Sequence, residues 1–136
     1  MPVTVTLMGL GAYPASGPCY VGPLGMHGYY NCNMAISECD CLFAIGPRFD
    51  DRVTGKLDEF SLKSVKIHID VDPTSISKNV PTQIPIVGHI GRVLEQMNED
   101  LAKTDPKVIE AFKKRIKPWW DQITLWERQN PLSYKA

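Results

Sequence analysis

No stretch of this sequence approaches the roughly 20 consecutive apolar residues that span a bilayer. The start, Met1-Pro2-Val3-Thr4-Val5, has neither the basic residues nor the long apolar run of a secretory signal. It reads as the opening of a strand, which points to a piece of a longer chain. Charge of one sign is lacking as well, since 15 Lys plus Arg balance 15 Asp plus Glu. Nucleic acid is therefore not the expected partner, because phosphate binding draws on a cationic surplus. Zero net charge also gives little colloidal repulsion and leaves self-association open. The four cysteines form no C-x-x-C: Cys39-Asp40-Cys41 is C-x-C, and no second pair completes a zinc site. Reduced, structural thiols in a cytosol-like compartment are the expectation. Gly9-Leu10-Gly11 offers two glycines and no helix start, so a G-x-G-x-x-G fingerprint is absent. No Ser–His–Asp order or paired carboxylates suggest hydrolysis. A catalytic site wholly inside the chain is not expected.

What is present is an ordinary globular balance, 43% hydrophobic and 22% charged, at 136 residues, the size of one domain. Val3 to Leu7 is predicted as a strand running into the Gly9-Leu10-Gly11 turn. Pro14 to Gly28, rich in Gly and Pro, reads as an ordered loop. A helix of two to three turns follows, with Asn31 as a possible N-cap. Leu42 to Ile45, closed by Gly46-Pro47, has the continuous apolar character of a strand buried on both faces. Lys66 to Val71 and Ile84 to Val87 complete the strands. Val93, Leu94, Met97 and Leu101 recur at helical spacing, and Asp105-Pro106 opens a further helix as N-cap and first residue. Pro118 is expected to break or kink that helix. An amphipathic segment with Trp119, Trp120, Ile123 and Trp126 then runs to Gln129-Asn130-Pro131, and Leu132 to Ala136 begins a linker.

Strands alternating with helices predict an α/β fold, a Rossmann-like parallel sheet with helices on both faces. Ligands of such sheets lie beyond the carboxyl ends of the strands. Met8 to Gly11, Gly46-Pro47-Arg48, Asp70-Val71-Asp72 and Gly88-His89 all stand at such ends. Gly9 to Gly11 serves either a tight turn or close approach to a ligand. Asp70 can accept from ribose hydroxyls, Asp70 with Asp72 can hold a metal, or Asp72 simply starts the turn at Pro73. Arg48-Phe49-Asp50-Asp51-Arg52 is either a solvated salt-bridged loop or a phosphate-binding fork with an orienting carboxylate. Met26 and His27, between two glycines, can lie against a flat ring. His68 alternates within a strand and reads as a satisfied core or surface residue.

Thr4 to Pro14, then Leu24-Gly25-Met26-His27-Gly28, Gly46 to Lys56 and Ile67 to Pro73 closely resemble the central domain of the acetohydroxyacid (acetolactate) synthase family. The likeness covers essentially the whole chain, and the Arg-Phe-Asp-Asp-Arg-Val-Thr-Gly run is its most specific part. The resemblance implies a thiamine-diphosphate-dependent carboligase with three domains per subunit. In it, pyruvate is decarboxylated and joined to a second 2-ketoacid, giving acetolactate or acetohydroxybutyrate for branched-chain amino acids. Thiamine diphosphate and Mg²⁺ belong to the outer domains, and the middle one binds an extended FAD without net redox turnover. By position, the resemblance puts Thr6, Leu7 and Met8 near the flavin or its chain, and Met26 and His27 near the isoalloxazine. Gly46 and Arg48 go to the diphosphate with Asp50 and Val53 close by. Asp70 and Val71 go to the adenosine half, with Gly88 and His89 closing over it. Asp51 and Arg52 are implied to line the channel toward the thiamine site.

Three departures from the family pattern stand out. Pro47 replaces the usual Ala and removes a backbone N–H. His89 replaces the usual Asp. The family's first strand and glycine-rich turn have no counterpart here, which leaves an edge open beside Val3 to Leu7. Residues 1–104 are thus expected to be a partial FAD-binding domain, and 105–136 its C-terminal helices and the start of a linker. Implied partners are the remaining domains of the catalytic subunit, a second copy of the subunit and a regulatory small subunit. The implied location is the cytoplasm of a bacterium, or the plastid or mitochondrion of a eukaryote. A nucleotide-binding or structural domain that has lost FAD is the alternative. A freestanding dehydrogenase is disfavoured by the missing fingerprint.

Overall fold

The computed structural model describes residues 1–132. Five strands and four α-helices follow one another as β1 (Val3–Val5), β2 (Tyr20–Pro23), α1 (Tyr30–Glu38), β3 (Cys41–Ile45), α2 (Asp51–Thr54), β4 (Val65–Asp70), β5 (Ile84–Val87), α3 (Ile90–Ala102) and α4 (Pro106–Gln129). Every strand pair is parallel, so the expected α/β class holds, but the strands form two sheets, β1-β2 and β3-β4-β5.

Local chemistry explains where the elements depart from expectation. The first strand stops at Val5 because the Thr6 hydroxyl accepts from the Gly9 N–H at 3.1 Å, starting a 3₁₀ turn over Leu7–Gly9. The Pro14–Gly28 segment contains β2, whose pairing with β1 overrides its loop-like composition. Asn31 is not the cap of α1: Tyr29 holds that position with no side-chain bond, and Asn31 is buried inside the first turn. The β3 strand is not buried on both faces. It lies at the outer edge of its sheet, with only Ala44 buried, while central β4 buries Lys66, His68, Ile69 and Asp70. Lys66 is accommodated because its ammonium donates to the Ser61 and Ser64 carbonyls at 2.7 and 3.3 Å. Pro118 neither ends α4 nor divides it. The Lys117–Asp121 ion pair at 3.2 Å spans it, and the Thr124 hydroxyl donates to the Trp120 carbonyl at 2.9 Å just beyond it.

The start of α4 fits its sequence, with Asp105 accepting from the Lys107 N–H at 2.8 Å and Pro106 at the first helical position. Its second half packs along α1, where Ile123, Cys32 and Ala35 are buried. A second apolar cluster joins Ala44, Phe49 and Val80 to Leu42 and Phe60. This cluster sits beneath the loop after β3, and it is what fixes the site. The expected linker beyond Leu132 lies outside the described residues.

Candidate functional site

The register of the three-stranded sheet brings the ends of its strands level. Ile45 is opposite Ile69 and Asp70 opposite Val87, so Gly46, Asp70 and Gly88 share one rim. The Gly46 N–H donates to the Ile69 carbonyl at 2.8 Å, and the Gly88 N–H to the Asp70 carbonyl at 2.9 Å. Both glycine amides are therefore engaged by the sheet, and what these residues offer a ligand is closeness of backbone. At Gly46, φ is 66° and an added Cβ would lie 3.0 Å from Ile90 Cδ1. Glycine there lets the loop after β3 rest against the start of α3. His89 occupies the N-cap of α3 without a side-chain bond to the helix.

Asp70 Oδ1 accepts from the Asp72 N–H at 2.8 Å, and Oδ2 is 3.9 Å from His68 Nε2. Asp72 makes the turn: its Oδ1 accepts from the Thr74 N–H and hydroxyl at 2.9 and 2.8 Å, which hold its carboxyl below the usual range. Among the described residues, no group of three or more His, Cys, Asp or Glu is placed to hold a metal. Val71 is exposed. His68 is fully buried, but neither ring nitrogen has a hydrogen-bond partner, so it is a core residue and not a satisfied one. Burial pushes its pKa down, and the Asp70 carboxylate and then the Pro47 backbone pull it partly back.

Arg48 and Asp50 straddle the buried Phe49. The exposed Arg48 guanidinium is 3.9 Å from Asp50 Oδ2, whereas Asp50 Oδ1 is buried without a partner. Asp50 also starts α2, its carbonyl accepting from the Val53 and Thr54 N–H groups at 3.0 Å each. This one-turn helix connects to the Gly25–Gly28 loop. The Met26 N–H donates to the Arg52 carbonyl at 2.8 Å, and Arg52 Nη1 lies 3.6 Å from Met26 Sδ. Gly25, at φ 97°, is required there because a Cβ would meet the Arg52 carbonyl oxygen at 2.4 Å. Asn33 on α1 clamps the same glycine, accepting from its N–H at 2.8 Å and donating to its carbonyl at 2.9 Å. A cleft of about 380 Å³ lies along these residues, with Met26, Asn33, Asp51, Val53 and Lys56 in its wall. His27 is exposed beside it.

Sequence-predicted residues thus fall into three neighbourhoods. Gly46, Asp70, Gly88 and His89 share the rim. Met26, Asp51 and Val53 line the cleft, with Arg52 bonded to Met26 beside it, and the Arg48–Asp50 loop runs between. Thr6, Leu7 and Met8 stand apart at the end of β1, joined to the second group by the Leu24 N–H donating to the Val5 carbonyl at 3.0 Å. Leu7 and Met8 are 77% and 90% exposed, an unusual state for apolar side chains without a partner.

The family model for the thiamine pyrophosphate enzyme central domain matches residues 1–97. This chain belongs to that family. It is similar to the acetolactate synthase isozyme 3 large subunit of Escherichia coli, 46% identical over 134 residues that make up 98% of this chain and 23% of the relative. The acetolactate synthase large subunit of Haemophilus influenzae is 44% identical over 138 residues, covering 98% and 23%. That of Cyanidium caldarium is 44% identical over 133 residues, covering 98% and 22%. The chain therefore spans under a quarter of the length of these relatives.

Sequence reasoning missed two residues that hold these candidate loops, Asn33 and Asn79. Asn33 left a faint signal, an amide in the first turn of a helix entered from a glycine-rich loop. Asn79 left none, since its partners Arg48 and Phe49 lie about thirty residues away.

Proposed function

We propose that the chain is the flavin-holding central part of an acetolactate synthase large subunit, with FAD laid across the carboxyl ends of its strands. The observation that carries this reading is the level rim of Gly46, Asp70 and Gly88. A dinucleotide needs close backbone approach, a cation near its diphosphate and an acceptor for ribose hydroxyls. Gly46 and Gly88 supply the first, the Arg48 guanidinium the second, and Asp70 Oδ2 the third. Asp50 Oδ1, buried and unpartnered, is an acceptor suited to a ligand donor. Val71 and His89 flank the adenosine half. Thr6, Leu7, Met8, Met26, His27 and Val53 take the flavin half, and the exposed apolar chains at Leu7, Met8 and Met26 suit a flat ring. When bound, FAD supplies a structural isoalloxazine with no net redox turnover.

Residues 1–104 are the partial central domain, and 105–136 comprise its C-terminal helix α4 and the start of a linker. The split between β1-β2 and β3-β4-β5 supports a strand missing between them. In the full-length enzyme, other domains would hold thiamine diphosphate and Mg²⁺, and Asp51 and Arg52 would face the passage to them. Two pyruvates, or pyruvate and 2-ketobutyrate, are condensed there with loss of CO₂. This segment alone turns nothing over. Its partners are those domains, a second copy of the subunit and a regulatory small subunit. The enzyme acts in the bacterial cytoplasm, or in a plastid or mitochondrion. No helix among the described residues is long and apolar enough to cross a membrane.

One observation favours a second reading, a nucleotide-binding or structural domain without flavin. Pro47 lacks an N–H, and the Gly46 and Gly88 amides are already bonded, so the rim offers few backbone donors. Titration of the purified chain with FAD, followed by flavin fluorescence and melting temperature, separates the two. Saturable binding with a melting temperature that rises with FAD is expected. A folded chain that ignores FAD would leave the structural reading.

A further inference from the structure

The loop between β3 and α2 holds a conformation that its own residues disfavour. Phe49 lies at φ 50°, left-handed backbone that a bulky side chain rarely adopts and that persists only when its surroundings fix it. Two contacts fix it. The ring is buried edge-on against Phe60 and His68, with centroids 5.7 and 5.1 Å away, beside Ala44 and Val80. The backbone is held by one side chain from the loop after β4. Asn79 Nδ2 donates to the Arg48 carbonyl at 3.1 Å and to the Phe49 carbonyl at 3.0 Å. Both acceptors are carbonyl oxygens, so only the NH₂ side of the amide can face them. Val80, the next residue, is buried in the cluster under Phe49. The loop that begins at Asp70 therefore returns beneath the loop that carries Arg48 and Asp50.

We propose that Asn79 is a positioning residue of the ligand site: by holding the Arg48 and Phe49 carbonyls, it sets the Arg48 guanidinium for the diphosphate of a dinucleotide and the Asp50 carboxylate for a hydrogen-bond donor of the same ligand. The proposal rests on the nucleotide-binding reading above. It makes segment 71–83 a strut between the ribose-side carboxylate at Asp70 and the diphosphate-side loop, although Asn79 itself touches no ligand.

The test uses the 136-residue chain with FAD and with ADP as probes, and follows binding and melting temperature. Asn79→Ala, which removes both donors, should weaken both ligands about tenfold, the scale of losing two modest hydrogen bonds. Asn79→Gln keeps the two amide donors on a longer arm and should recover part of the loss. Because Asn79 acts through Arg48, Arg48→Ala combined with Asn79→Ala should lose less than the product of the two single losses. A purely structural asparagine would give multiplicative losses that follow the melting temperature. That result, or unchanged binding in Asn79→Ala, overturns the proposal. If the unsubstituted chain binds ADP but not FAD, the flavin reading fails and the Asn79 test runs on ADP. If it binds neither, both ideas fall.

Discussion

His68 combines full burial with two unpartnered ring nitrogens, so its charge state is tied to whether the chain is folded. Facing it are Phe49 edge-on, the Asp70 carboxylate at 3.9 Å and the Pro47 backbone. Burial lowers its pKa below the ordinary 6.5, and Asp70 with the Pro47 backbone offsets only part of that. The unfolded chain takes up the proton near 6.5, whereas the folded chain does so only at lower pH. Unfolding is then coupled to proton uptake, so stability falls as pH drops below about 6.5 and levels off beneath the folded pKa. His68→Phe removes this titration. Melting curves from pH 7 to 5 should show a smaller loss in the variant, and parallel losses would contradict this account. Cys32, buried on α1, behaves oppositely to a reactive thiol: burial first, then the Glu127 carboxylate, push its pKa up to about 12, against a lowering backbone bond from Tyr29.

Among the elements, α3 and α4 show that amphipathicity does not by itself say what a helix covers. Both carry an apolar stripe, yet α3 buries no residue, and Met97 and Leu101 remain exposed. In α4 the first half leaves Val108 and Phe112 exposed, while the second half seats Ile123 against α1 at 2% exposure. The stripes at 108–116 and 119–126 read alike in sequence, but their energetic weight differs. Ile123→Ala should cost about 2–5 kcal/mol, the range for emptying a buried aliphatic site. Val108→Ala, at 57% exposure, should stay within about 0.5 kcal/mol. Denaturant unfolding of the two variants checks this, and equal costs would show that α4 packs along its whole length.

For the whole molecule, the decisive feature is the division into two parallel sheets. Parallel sheets are normally covered and paired, yet β1 and β3 each have an edge that pairs with no strand among the described residues. Exposed apolar groups at Leu7, Met8 and Ile45 stand at the ends of these same strands. With zero net charge, such edges favour association between chains. If, in a longer chain of the relatives' length, a further strand fills this place, the β3 amides facing away from β4 exchange freely in the 136-residue chain. They become protected in a full-length subunit of the relatives' size. Hydrogen exchange on both proteins tests this, and equal protection would count against the missing strand.

Most of the strand ends were legible because the cues are local. Gly46-Pro47, Asp72-Pro73 and Gly88 stop a strand by backbone geometry wherever they occur, and Asp105-Pro106 starts a helix by the same kind of rule. The same cues point to the loops after those strands, and the structure brings Gly46, Asp70 and Gly88 to one rim. The short β2 was hidden, because its existence depends on β1 lying beside it and not on its Gly- and Pro-rich composition. Likewise β3 reads as doubly buried, and only the sheet order makes it an edge. Asn79 was illegible and Asn33 nearly so, since an asparagine gains meaning from the backbone groups that it meets in space. The sequence by itself determined where the chain turns, because turns and caps are set by a few neighbouring residues. Tertiary structure alone decided which face is covered, which carboxylate oxygen is left without a partner, and which amide holds a distant loop, because burial and hydrogen-bond partners come from residues far apart in the chain.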